Sequence, residues 1–574
     1  MSPLNRRSWL ACLVVAGALG ATLRGVWLTA DPPSHPSVGV AWHDEGAYVH
    51  NARNRALWGV WHTDQMNPMF ITPVFTGLEY VAFRSFGVGT WQARTVPAAS
   101  GMIAIAALMA GLWVAAGRWA AVIGGILLAT NYTFVMWNRA ALVESTMVAC
   151  VAVGWAAYAL AERRTGWGFV AGAAAVLAFF TKASAAFFIA ALAVEVLTAL
   201  LGPRQGRAAA KWALAGLALA GLVAAIAFVL PFWTEFRFYN WQVSVTRKPD
   251  YSLRAILDRA SWLPLTHGIF MRMWLVLVTA AIGTAAIAAR WRNARPAERL
   301  AVLWLVVGLL EIVAHDAGNE RRFVMLVPAM IAIASITLVR EWPHIAPELA
   351  GRVRWLQLPI VAVFSYLLAG TAVRLWLFRE VEAGSFSTAV RVSAAIAAVV
   401  AAVFWWRAHR RALGAPRSAP HAGFRTPRVL IVAVILVTCG TDLWLYARWA
   451  RSHTTFNYDA SVAVGKLLAP GTLVQGKLAN GLALENQIRP LFIGQGYGNY
   501  DDRLSRDDVR YLLTYSLPTE GYETPGGLIR QLLDHYPNRR VIATFDVDET
   551  PGIDRAELID KFPATRSGPP HERD

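Results

Sequence analysis

Cysteine is nearly absent: Cys12, Cys150 and Cys439 are the three in 574 residues, each inside an apolar run. With no Cys-x-x-Cys and no pairing framework, a disulfide scaffold and a thiolate metal site are excluded, and the three read as small membrane-core residues. Charge is scarce too. Asp, Glu, Lys and Arg make up 16% of the chain, against about 25% in a soluble protein. No glycine-rich loop precedes a helix at nucleotide-binding spacing, and Gly494-Gln495-Gly496-Tyr497-Gly498 reads as a flexible turn. Chemistry driven by a bound nucleotide is therefore not expected.

What the chain has is apolar length. It is 56% hydrophobic, with mean hydropathy +0.40 and 25 Trp. Fourteen apolar segments occur, at about 9–30, 70–86, 95–115, 118–137, 142–161, 166–181, 184–201, 212–233, 270–289, 300–314, 323–339, 358–378, 388–406 and 428–446. Many approach the roughly twenty residues that cross about 30 Å of hydrocarbon. The expected fold is a polytopic all-α membrane protein, residues 1–446, followed by a small extracytoplasmic α/β domain, residues 453–574.

The formal charge of +17 fits this class without nucleic acid. Basic residues gather in short loops, and the stretch from Arg407 to Arg428 carries six Arg and no acid. By the positive-inside rule those loops and the N-terminus are cytoplasmic and the C-terminal tail lies outside. That arrangement requires an odd number of crossings, so thirteen are expected. The segment 70–86, interrupted by Pro73, Glu79 and Arg84, reads as re-entrant or interfacial, the alternative being that one of 95–115 and 118–137, separated by Ala116 and Gly117, is not a full crossing. The run before it, from Trp9 to about Ala30, is long for a cleaved leader and reads as a retained helix.

The tail differs in composition: residues 501–574 hold fifteen acids. Strand-length apolar runs occur at 472–475, 490–494, 510–515 and 540–545, alternating with helical stretches at 460–468, 478–486 and 525–535.

Candidate chemistry concentrates in a few polar inserts. Trp42-His43-Asp44-Glu45-Gly46-Ala47-Tyr48 lies in the first outer loop, residues 31–69. Asp44 and Glu45 are either solvated loop acids or a general base held at the membrane surface. Glu144 sits at the outer end of an apolar span, where a charge is costly and functional by default, with Arg139 as a candidate ion-pair partner. Lys182 either snorkels or neutralises a phosphate. In His315-Asp316-Ala317-Gly318-Asn319-Glu320-Arg321-Arg322, Arg321 or Arg322 is suited to clamping a phosphate. His43, Tyr48 and His315 are candidate acceptor or headgroup contacts. No metal is assigned: a divalent ion is compatible with His315 and Asp316 but not required, and no cofactor is called. The 234–267 loop is aromatic and reads either as lying on the membrane surface or as part of an aromatic belt.

Over roughly residues 9–400 the chain resembles the membrane glycosyltransferases of the C-type superfamily. The likeness is to bacterial relatives of the protein mannosyltransferases and of the aminoarabinose transferase acting on lipid A. It rests on Asp44-Glu45 in the first outer loop, on Asn67-Pro68-Met69-Phe70, on the stretch Phe86-Gly87-Val88-Gly89-Thr90-Trp91-Gln92-Ala93-Arg94-Thr95-Val96-Pro97, on Thr181-Lys182, and on Arg321-Arg322-Phe323. The resemblance implies a polyprenyl-phosphate sugar donor and a glycan, lipid or protein acceptor, with membrane lipids around the chain. It places the catalytic acid at Asp44, a second acid at Glu144, and donor-phosphate contacts at Arg94, Lys182, Arg321 and Arg322. The family's Lys after the Asn-Pro step is missing, so Arg84, Arg94 or Arg322 is expected to stand in for it. A transporter and an envelope assembly protein are the rival classes.

Overall fold

The computed structural model describes residues 6–32, 41–202, 206–243, 270–315, 320–341, 391–403, 427–493, 499–515, 528–547 and 555–562, with a few isolated residues between them. The segment 358–378 and the basic 407–426 stretch lie almost wholly outside the described residues.

The chain is a polytopic, mainly helical membrane protein. Helix α1 spans Arg6–Gly25, α2 Ala41–Trp58, α3 Pro73–Phe86, α4 Thr90–Ala116, α5 Arg118–Thr130, α6 Tyr132–Trp137, α7 Val143–Leu160, α8 Trp167–Thr181, α9 Ala186–Leu201, α10 Arg207–Ala224 and α11 Trp233–Arg237. Then come α12 Phe270–Ala289, α13 Pro296–His315, α14 Glu320–Phe323, α15 Val327–Ile336 and α16 Pro427–Ser452. Among the described residues, six helical stretches are long and apolar enough to cross a membrane: Thr90–Ala116, Val143–Leu160, Ala183–Leu201, Arg207–Val229, Arg272–Ala289 and Arg321–Arg340. Shorter apolar helices occur at Trp9–Gly25, Arg118–Thr130, Trp167–Thr181 and Arg391–Val403.

Local chemistry explains where runs break. The apolar stretch 118–137 is two helices, because the Asn131 side chain accepts from Phe134 N and starts α6. Helix α3 has 14 residues, a rise of about 21 Å, which is short of a full crossing. The segment 31–69, expected as a loop, contains the 18-residue helix α2. Asp44 and Glu45 therefore project from a helix, about 100° apart around its axis.

Small residues let the helices approach. Gly168 and Gly172 on α8 face backbone carbonyls of Ala209 and Ala213 on α10, and Gly216 on α10 faces Phe169 O. A Cβ at any of the three would strike backbone, which is the small-residue packing of membrane helices. At one end of the α9/α13 pair, Arg299 makes a bidentate contact with Glu195 at 2.8 and 2.6 Å. Lys182 and Glu311 lie toward the other end of those helices.

Among the described residues, the C-terminal region is built on a mixed five-stranded sheet of order β2-β1-β3-β5-β4. The strands are β1 Leu473–Gln475, β2 Arg489–Leu491, β3 Tyr511–Tyr515, β4 Arg540–Asp546 and β5 Arg555–Asp560. Among the described residues, helices α17 Phe456–Leu467, α18 Lys477–Gly481 and α19 Leu528–His535 accompany them. Strand β1 runs parallel to β2 and β3, while β5 is antiparallel to both β3 and β4.

This region grips α2. Arg53 donates to Ala483 O, Asn486 O and Ile488 O at 2.9–3.0 Å. His50 bonds Asp64 at 3.0 Å and Asn480 at 3.2 Å. Asp31 accepts from Thr454 Oγ1, Phe456 N and Asn457 Nδ2 at 2.7–2.8 Å. Burial pushes the Asp31 carboxyl up from its ordinary value, against the opposing pull of those donors.

Candidate active site

Asp44 lies in the first turn of α2, its side chain 27% exposed. Arg321 Nη1 donates to Asp44 Oδ2 at 2.8 Å. The same guanidinium stands with Nε 3.2 Å from Glu144 Oε1. Lys182 Nζ donates to that Glu144 oxygen at 2.6 Å. One cation thus bridges two carboxylates from α2 and α7, and a second cation closes on the deeper acid. Arg322 lines a narrow cavity with Glu144 and Lys182, and Tyr48, one turn beyond Asp44, lies within electrostatic reach of both arginines.

The backbone explains the convergence. Glu144 occupies the first turn of α7, where the helix dipole favours an acid. That turn is fixed by Asn138 Nδ2 donating to Ser145 Oγ at 2.9 Å, while Asn138 Oδ1 accepts from Arg24 Nε at 2.8 Å. Lys182 sits in extended backbone between α8 and the turn that starts α9. Arg321 and Arg322 belong to the short helix α14 ahead of α15.

Arg139, expected as a partner of Glu144, instead caps α1. Its guanidinium donates to Leu23 O, Arg24 O, Val26 O and Trp27 O, and stacks 4.5 Å from the Trp449 ring. Terminal carbonyls of a helix attract a cation, so Glu144 is left to Lys182 and Arg321.

Glu45 faces away from Asp44. Arg94 Nε and Nη2 bind its two oxygens at 2.9 and 2.7 Å, and Ala141 N donates to Oε1 at 2.5 Å. Arg94 Nη1 also donates to Leu28 O and Ala30 O. This buried pair joins α2, α4, the end of α1 and the turn before α7. Each acid of the Asp44-Glu45 pair therefore has its own arginine. Arg84 is exposed on α3. His43 lies on α2 and His315 ends α13, but their side chains fall outside the described residues, as do residues 316–319. Among the described residues no group of three or more His, Cys, Asp or Glu is gathered around a metal-sized site.

Two acids were missed by the sequence reading. Glu311 on α13 lines the cavity beside Lys182 and Arg322; a lone acid in the apolar run 300–314 was the available signal. Glu79 on α3 is fully buried, both oxygens lacking a hydrogen-bond partner among the described residues, in the neighbourhood of Glu45.

Residues 72–233 match a protein family described as dolichyl-phosphate-mannose-protein mannosyltransferase, well under half of the chain. No curated protein sequence matches. Two crystal structures of ArnT from Cupriavidus metallidurans align over nearly the whole length of both chains. The apo form shares 16% identity, covers 97% of each chain and has a TM-score of 0.56. The form bound to undecaprenyl phosphate shares 15%, covers 98% of this chain and 99% of that one, and has a TM-score of 0.52. The chain therefore shares the fold of these two structures.

Proposed function

We propose that the chain transfers a sugar from a polyprenyl-phosphate donor to a protein, lipid or envelope-glycan acceptor at the outer face of the plasma membrane. The observation carrying this reading is the cluster in which Arg321 bridges Asp44 and Glu144 beside Lys182 and Arg322. It supplies a partly exposed carboxylate and several cations within one site.

Asp44 is the general base. Its carboxylate takes the proton of the acceptor hydroxyl or amine as that atom forms its bond to the anomeric carbon. The bond from that carbon to the phosphate oxygen breaks, and the electron pair leaves with the lipid phosphate. Lys182, Arg321 and Arg322 stabilise the charge that develops there. Attack opposite the departing phosphate inverts the anomeric centre in one step. Glu144 orients the cations. We assign Glu45 and Arg94 to holding α2 in register, because they are buried against each other. Tyr48 faces the acceptor side.

In this reading the α2 end of the bundle faces outward, the N-terminus is cytoplasmic, and thirteen crossings connect it to an extracytoplasmic domain at 453–574. The test is turnover in lipid with a panel of radiolabelled polyprenyl-phosphate sugars, water serving as a poor acceptor. Slow hydrolysis of one donor, lost in Asp44→Asn with donor binding retained, is the expected result. Neither binding nor consumption of any donor by folded protein overturns it.

A further inference from the structure

A cavity of about 440 Å³ lies away from the Asp44 cluster, between the turn ahead of Pro68 and the segment that follows α10. Its size falls within the ~300–1,000 Å³ range of small-molecule sites. Trp233, Phe238 and Tyr239 supply aromatic surface, and Gln65, Glu235 and Arg237 supply polar groups. We propose that it is a carbohydrate subsite that seats a pyranose unit of the acceptor.

Three observations carry this. The wall is held in place before any ligand arrives. The Tyr239 hydroxyl donates to Gln65 O at 2.6 Å and accepts from Asn67 N at 2.8 Å, and its ring stacks on Phe70 with centroids 5.8 Å apart. Asn240 Nδ2 donates to Phe70 O at 2.8 Å, pinning the same segment. Trp233, by contrast, lines the cavity and is 54% exposed, so its ring is not covered by other parts of the protein.

The chemistry selects among ligands. The C–H face of a pyranose is weakly positive and settles on the negative face of an aromatic ring. Its hydroxyls both donate and accept, which matches an amide, a carboxylate and a guanidinium together. Among the described residues, one Glu and one Arg leave the lining without net charge, which does not suit a phosphate. An acyl or prenyl chain would strip water from Gln65, Glu235 and Arg237 without replacing their hydrogen bonds.

The segment that lines the cavity also packs near an element of the active site. Phe236, within the same segment, lies 6.4 Å from the ring of Phe180, two residues before Lys182. Naming the sugar an acceptor rests on the transferase reading, whereas the binding does not.

The test is saturation-transfer difference NMR on the full chain in nanodiscs of deuterated lipid. The probes are methyl α-mannopyranoside, α-1,6-mannotriose and triacetylchitotriose, with farnesyl phosphate as the lipid comparator. Ring-proton signals are expected from at least one saccharide at roughly millimolar concentration, weakened about fivefold or more by Trp233→Ala and by Glu235→Gln. They are expected to persist in Asp44→Asn. Saccharide signals that are absent throughout, or that ignore Trp233→Ala, overturn the proposal. So does a Trp233-dependent signal confined to farnesyl phosphate. Because binding is read without turnover, its failure leaves the transferase reading intact, and inactivity toward every donor leaves the binding result intact.

Discussion

Arg321 reaches Asp44 at 2.8 Å across 277 positions of sequence, and the same guanidinium lies 3.2 Å from Glu144. The planar guanidinium presents Nη1 to one acid and Nε to the other, so a single group stands against both carboxylates. Arg321→Lys keeps the charge but presents a single ammonium, so it is expected to recover only part of the donor hydrolysis lost in Arg321→Ala. The loss in Arg321→Ala is expected at about a hundredfold, typical of removing one preorganised donor. Equal rates in the two variants would show that charge alone matters at this position.

Glu144 and Lys182 form a pair in which the acid is 2% and the lysine 17% exposed. Removing one partner leaves the other uncompensated, at a cost of about 3–5 kcal/mol for a fully buried pair and less here because Lys182 keeps some exposure. Lys182→Met and Glu144→Gln are each expected to lower the midpoint of thermal unfolding in lipid. The double variant is expected to lose less than the sum of the singles, a coupling that a double-mutant cycle measures. Additive losses would place the two residues in independent roles.

Glu45 and Arg94 make the contrasting pair. Their side chains are 2% and 3% exposed, and the contact is bidentate. Glu45→Gln is expected to destabilise the protein by about 3–5 kcal/mol. At a temperature where the variant is still folded, donor affinity is expected to stay within about threefold of the parent. A large loss of donor affinity without loss of stability would move Arg94 back to the phosphate.

Much of this was legible in the sequence, for reasons specific to each part. The apolar runs announced membrane helices because hydrocarbon demands length and composition at once. The strands at 473–475, 511–515 and 540–546 stood out by apolar content between turns, while β5, with Arg555, Glu557 and Asp560 among its six residues, carried no such signal. Asp44, Glu144, Lys182 and Arg321 were each visible as a polar residue beside an apolar run. Which pairs they form was not, because Arg139 is nearer to Glu144 in sequence yet serves the carbonyls ending α1. The helical form of α2 was also hidden: its low apolar content resembles a loop, and its support comes from Arg53, His50 and Asn480 contacts hundreds of residues apart.

Asp31 ties the end of the first helical segment to the start of the C-terminal region. Asp31→Ala removes the acceptor from Thr454, Phe456 and Asn457. Each buried donor left unsatisfied costs about 1–3 kcal/mol, so faster proteolysis around residues 453–458 is expected. The pH dependence has a definite sign. Burial raises the folded carboxyl above its unfolded value, so this group favours the folded state at low pH. That contribution is lost as pH rises through the raised value. The parent is therefore expected to show a pH-dependent protection component over this interval that Asp31→Asn lacks.

Gly46, two residues after Asp44, packs directly on the backbone of α18. A Cβ at this position would overlap the carbonyl of Asn480, which is backbone and cannot swing aside. Gly46→Ala therefore has to push α2 away from the C-terminal region, and Asp44 moves with it. A shift of an ångström at a catalytic group is enough to cost about a hundredfold in rate. Loss of donor hydrolysis on that scale is expected, with donor binding changed little, because Lys182 and Arg322 stand on other elements. Gly17→Ala is the matched control, since a Cβ there meets nothing within 4 Å and alanine is the better helix former. If Gly46→Ala turned over like the parent, the seat of α2 on the C-terminal region would be irrelevant to the chemistry, and that region's role would lie elsewhere.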